Sequence, residues 1–303
     1  MPQSPSFSVT LLLIAILSCG IYSVGLKPSN QRCRSLAEQE LFNGLFSATA
    51  MVGAILSALL SSGSLYIPLG GVLTAALFGF GFSMCVFTNL KALEEGPLSL
   101  TTLIVNFSLI FPMFYSFFFL GEAVTVVRIC GILLLLVCML LFTNPRITGE
   151  KKISARWIVI SAISMLINGL LAVIAKIYTL KTDGAYAAQF LVYGYLFATL
   201  TSFVLSAILR AGQRKEERRP LRAFFTPAIV FLFLLVGAAN FGMNLMVLLL
   251  ATLMDGAIVY PAIQGGGPMI AVLGSRFLFG EQISWKKWIA IILGVLAIVM
   301  LNL

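Results

Sequence analysis

The chain is 303 residues long, 60% of them apolar and only 10% charged, with a mean hydropathy of +1.03. Soluble globular domains are about half apolar and about a quarter charged, so water is excluded as the main solvent of this chain. A net charge of +9 would suggest a nucleic-acid partner in a soluble domain, but here the basic residues fall between apolar runs, where they set membrane orientation, and no nucleic-acid partner is expected.

A helix needs roughly 20 apolar residues to cross the hydrocarbon layer. Ten such candidates follow in chain order: 8–26, 41–60, 68–90, 97–120, 124–142, 156–180, 185–209, 222–250, 254–278 and 284–303. None alternates with the period of a membrane β-strand. The expected fold is an all-α integral membrane protein of about ten transmembrane helices, multi-pass in a cell membrane. Residues 1–8 carry no Lys or Arg, unlike the start of a signal peptide, so the first span is expected to stay in the mature protein. The eighth run is long enough to tilt or to extend past the bilayer.

Cys19, Cys33, Cys85, Cys130 and Cys138 show no metal-ligand spacing and read as small hydrophobes. Histidine is absent, which removes the commonest metal ligand and the commonest general base. Neither a cofactor nor catalysis is expected.

The chain reads as one unit written twice, residues 1–148 and 149–303, with the boundary near Pro145 to Ser154. Leu93-Glu94-Glu95-Gly96 answers Leu253-Met254-Asp255-Gly256, and Leu120-Gly121-Glu122 answers Phe279-Gly280-Glu281. Pro112 interrupts its apolar run where Gly265-Gly266-Gly267-Pro268 interrupt the partner run. Gly20 to Lys27 has the spacing of Gly169 to Lys176, and Phe80-Gly81 answers Phe241-Gly242. Five spans per unit is odd, so the second unit is expected to enter the membrane inverted. Charge agrees: the loop after span two has no basic residue, whereas the loop after span seven has six, Arg210, Arg214, Lys215, Arg218, Arg219 and Arg222. Counted over all loops, the positive-inside rule places both termini outside.

A duplicated five-helix unit with an apolar-Gly-Glu corner after a broken helix, and a glycine in the last helix (Gly131, Gly294), resembles the drug/metabolite transporter superfamily, specifically its ten-helix EamA-type permeases. The resemblance covers essentially the whole chain. It implies a carrier of small metabolites with a central cavity lined mainly by helices one, three, four, six, eight and nine. It also implies cytoplasmic termini, against the charge count.

Substrate sites in repeat transporters form where corresponding helices are broken at mid-membrane. In span four the candidates are Asn106 and Tyr115, with Ser108 and Pro112 beside them; in span nine they are Tyr260, Gln264, Gly265 and Gly266. The glycines fit close helix packing equally well. Span eight offers Asn240 and Asn244 on one face, span six Asn168, and span seven Gln189, Tyr193 and Tyr195; these either line a cavity or bridge helices. Lys176 and its counterpart Lys27 either snorkel to the interface or, for Lys176, face the cavity. Glu94, Glu95, Glu122, Asp255 and Glu281 fall at span ends, no acidic residue is read mid-span, and Glu122 and Glu281 are expected to cap the helix that follows each. The expected function is a secondary transporter of a small organic metabolite, a monomer or homodimer in contact with membrane lipid. The alternatives are a membrane scaffold or channel-like pore, and an integral-membrane enzyme.

Overall fold

In a computed structural model of the chain, residues 5–122, 125–142, 154–214, 218–280 and 282–301 are described. Glu281 and the boundary loop from Pro145 to Ile153 lie outside them.

Every regular element among the described residues is helical. The helices are α1 (Pro5–Arg32), α2 (Leu36–Ser62), α3 (Leu69–Glu95), α4 (Leu98–Asn106), α5 (Ile110–Phe119), α6 (Val126–Phe142), α7 (Ala155–Lys181), α8 (Ala187–Gly212), α9 (Leu221–Phe224), α10 (Pro227–Leu250), α11 (Gly256–Phe279) and α12 (Trp285–Leu301). Eight apolar helical segments, α4 and α5 counting as one, are long enough to cross a bilayer. α6 and α12 are apolar too, with 17 described residues each. This is the make-up of a multi-pass membrane protein. Leu60, Val126 and Phe277 turn outward, as lipid-facing side chains do.

Local chemistry sets the helix ends. Ser35 accepts a hydrogen bond from the Glu38 amide, while the Glu38 carboxylate accepts one from the Arg34 amide, so α2 begins with its first donors satisfied. The expected single run at 222–250 is two helices. Thr226 caps the Ile229 amide and Pro227 takes the first helical position, which starts α10 afresh and leaves α9 as a short turn.

The two expected helix breaks have different outcomes. In span four the break is present: a 3-10 turn at Phe107–Leu109 separates α4 from α5. Pro112 gives the cause, because its ring crowds the carbonyl of residue 108 and it has no N–H to donate there. The break expected at Gly265 to Pro268 is absent, since α11 runs unbroken from Gly256 to Phe279 with Pro261 and Pro268 inside it. The glycines serve contact instead. A Cβ on Gly265 would run into Leu135 of α6, one on Gly266 into Ile16 of α1, and one on Gly267 into Cys19.

Packing follows a definite order. α2 lies along α8, α1 against α10 and α11, α7 against α3 and the α4–α5 pair, α3 against α8, α10 against α2, and α6 against α12. The α2–α8 pair is antiparallel, with Ala37 bonded to Ser206, Asn43 to Ser202 and Ser62 to Gln189. Helices approach most closely at glycines. Gly79 of α3 faces the Gly194 carbonyl of α8, and Gly237 of α10 faces the Phe46 carbonyl of α2.

Candidate functional site

A cavity of about 280 Å³ lies inside the bundle. Its wall is built from α1 (Tyr22, Ser23), α3 (Phe78, Phe82, Asn89), the α4–α5 break (Asn106, Ser108, Pro112), α7 (Asn168, Ala172), α10 (Asn240, Asn244) and α11 (Tyr260, Gln264), with Leu191 from α8. The 3-10 turn matters here, because it brings Asn106 and Ser108 to the wall at the point where the backbone is least regular.

Six carboxamides reach this one cavity: Asn89, Asn106, Asn168, Asn240, Asn244 and Gln264. No Asp, Glu, Lys or Arg lines it among the described residues. Three of the amides are held by neighbours. Tyr195 of α8, itself 1% exposed, donates its hydroxyl to the Asn240 side-chain oxygen at 2.7 Å, and Asn244 donates to Tyr195 at 3.0 Å and to Asn240 at 3.2 Å. Asn168 donates to Ser108 Oγ at 2.7 Å. This scaffold leaves the Asn240 Nδ2 donor, in a side chain 1% exposed, and the Asn89 Oδ1 acceptor without partners. Asn106 and Gln264 make no side-chain hydrogen bond to another described residue. A buried amide without a partner costs about 1–3 kcal/mol, so these are the atoms that a water or a solute in the cavity would satisfy.

The expected site residues divide accordingly. Asn106, Asn240, Asn244, Tyr260 and Gln264 share the cavity. Tyr115 does not; its ring stacks on Phe119 one turn away, with centroids 5.3 Å apart. Gly265 and Gly266 pack against α6 and α1. In span seven, Gln189 ties α8 to Ser62, and Tyr195 acts as a buttress behind the wall. Asn89, Tyr22 and Ser23 line the cavity without having been singled out as site residues, although an amide beside the polar end of span three was a visible signal.

Lys176 is neither snorkelling nor in the cavity. It is 2% exposed, pairs with Glu122 at 2.6 Å and reaches Ser116 at 3.3 Å. Glu122 in turn accepts the amides of Gly256 at 2.8 Å and Ala257 at 2.9 Å. It therefore caps α11, not α6 as its place in the chain suggests, because the fold brings the start of α11 to the end of α5. Burial pushes the Glu122 carboxyl up, but the bonds from Lys176 and the two amides together hold it below its ordinary value of 4.5. Beside this cluster Arg128 pairs with Asp255 at 2.8 Å. The cluster lies next to one end of the cavity, since Ala175 and Tyr260, each within one turn of it, line the wall.

No family model and no curated protein matches the chain. Among solved structures, one described only as the crystal structure of a protein aligns with a TM-score of 0.73 and 16% identity over 96% of each chain. That likeness is one of fold alone.

Proposed function

We propose that the protein is a secondary transporter that moves a small, uncharged organic metabolite by exposing the amide-lined cavity to one side of the membrane and then to the other. The observation that carries this is the cavity itself: six carboxamides and two tyrosines gathered inside an apolar bundle, two of their fully buried polar atoms left unpaired. Polar side chains are costly within a membrane and persist where function needs them. A wall of neutral donors and acceptors compensates a neutral, multiply hydrogen-bonding solute; an ionised solute would find no countercharge there.

The reading of two inverted five-helix repeats is part of this proposal. Exchanging α1, α2, α3, α4–α5 and α6 for α7, α8, α10, α11 and α12 turns each principal packing pair either into itself, as for α2 with α8 and α6 with α12, or into another observed pair. The cavity is lined from both halves, by the helices that the resemblance to EamA-type permeases implies. The break at residues 107–109 then supplies a hinge, and the Glu122–Lys176 cluster holds one end shut.

A thermal-shift screen of the purified protein, followed by uptake into liposomes, tests the reading. An uncharged ligand at 100 times its Kd is expected to stabilise the protein by about 2.7 kcal/mol. Asn240→Ala and Gln264→Ala should fold and lose most of that response. Organic acids and amines should give none. If no neutral solute is bound or taken up, or both variants respond as the parent does, the proposal fails; conductance without saturation would replace the carrier by a pore.

A further inference from the structure

The antiparallel α2 and α8 share a buried polar face that the cavity does not use. On α2 it carries Glu40, Asn43 and Ser47, spaced three and four residues apart; on α8 it carries Thr199, Ser202 and Ser206 with the same spacing. All six are buried, and Glu40 has no exposed surface at all. A span drawn to start at residue 41 leaves Glu40 in a polar linker, yet it stands inside α2, in its second turn, and is buried there.

The hydrogen bonds of this face are incomplete. Asn43 donates to Glu40 Oε2 at 3.3 Å and to Ser202 Oγ at 2.9 Å, Ser202 meets Ser83 of α3 at 2.7 Å, and Ser206 bonds the Ala37 carbonyl. Glu40 Oε1, Asn43 Oδ1, Ser47 Oγ and Thr199 Oγ1 have no partner.

No cation answers the carboxyl among the described residues. On its own helix, Glu38 is 4.0 Å from Arg219. At the end of α8, Arg210 donates to the Arg219 carbonyl. α10 has no titratable side chain, and on α3 Cys85 bonds Ser164 while Lys91 pairs with Glu94. On α1, Tyr22 meets Phe46 edge-on. An ionised carboxylate buried this way, without a countercharge, is strongly disfavoured. The neutral acid is not, and its O–H also adds a donor to a face left with unpaired acceptors.

We propose that Glu40 is a proton-binding site: the carboxyl is held as the neutral acid while α2 and α8 are closed on each other, and it gives its proton to water when they part, leaving a carboxylate. The chain Glu40–Asn43–Ser202–Ser83 ends on α3, the helix that supplies Phe78, Phe82 and Asn89 to the cavity wall. If the protein is a carrier, a proton bound here is coupled to movement of that wall. Only this coupling rests on the transport reading.

The infrared spectrum of the detergent-solubilised protein at neutral pH is expected to show a protonated-carboxyl band that shifts with isotopically labelled glutamate and is missing from Glu40→Gln. Unfolding against pH gives a second readout. A buried acid kept neutral stabilises the fold fully at low pH and progressively less from the ordinary carboxylate range up to the higher pH at which the folded acid ionises. Each pH unit in that window should cost the parent about tenfold in its folding equilibrium relative to Glu40→Gln. Should that variant not fold, the labelled band in the parent still decides. The absence of that band at neutral pH, or equal pH slopes in the two proteins, would overturn the proposal. So would sodium-dependent stabilisation that Glu40→Gln abolishes, since the site would then hold a metal cation. In liposomes, Glu40→Gln should flatten the pH dependence of uptake while keeping the ligand-induced thermal shift. If nothing is transported, the infrared and unfolding results still judge the proton site separately.

Discussion

Glu122→Ala is expected to destabilise the protein by about 3–5 kcal/mol, the cost of removing one partner from a buried ion pair. The loss is large because two things go at once. Lys176, 2% exposed, becomes an uncompensated cation, and the amides of Gly256 and Ala257 lose their acceptor at the positive end of α11. The exchanged pair Glu122→Lys with Lys176→Glu separates the two effects. It restores opposite charges but gives α11 no acceptor at position 122, so it should recover only part of the stability. Full recovery in thermal unfolding would show that the cap contributes nothing. Acid should act on the same cluster. Because the folded carboxyl is held below its ordinary value, its stabilisation is complete above the usual carboxylate range and is lost as pH falls through the lower, folded value. Glu122→Gln should remove that acid-sensitive step.

Gly79→Leu is expected to cost at least about 3 kcal/mol, at or beyond the upper end for overpacking. A Cβ at residue 79 meets the Gly194 carbonyl and the Ala198 amide, which are backbone atoms and cannot turn aside as a side chain would. The helices α3 and α8 must separate, and with them Phe78 and Phe82 move from the cavity wall. Gly70→Leu is the control: nothing stands within 4 Å of a Cβ there, so its effect should be small. Equal losses in the two variants, measured by thermal unfolding, would show that the close approach of α3 and α8 does not set stability.

What the sequence revealed, and what it hid, follows from whether a residue acts on its own helix or across the bundle. Pro112 distorts its own backbone, so the break between α4 and α5 was legible from that residue alone. Gly265 to Gly267 look the same in a broken helix and in a tight contact; the difference is made by Leu135, Ile16 and Cys19, which are distant in the chain. Asn240 and Asn244 showed their shared face through spacing, but which atoms are free depends on Tyr195 of α8. Glu122 was assigned to the nearest helix start in the sequence, whereas the nearest in space belongs to α11. Glu40 reads as the end of a polar linker because an apolar window stops at the first charge, even when that charge is buried.

The 17 residues each of α6 and α12 have a consequence for the lipid around them. At 1.5 Å per residue these paired helices are about 25 Å long, against a hydrocarbon core of about 30 Å. Segments of that length match a hydrocarbon layer thinner than average, and the exposed Trp285 at the start of α12 is the residue type that favours the headgroup level. Shorter acyl chains are therefore expected to fit this edge of the molecule better than longer ones.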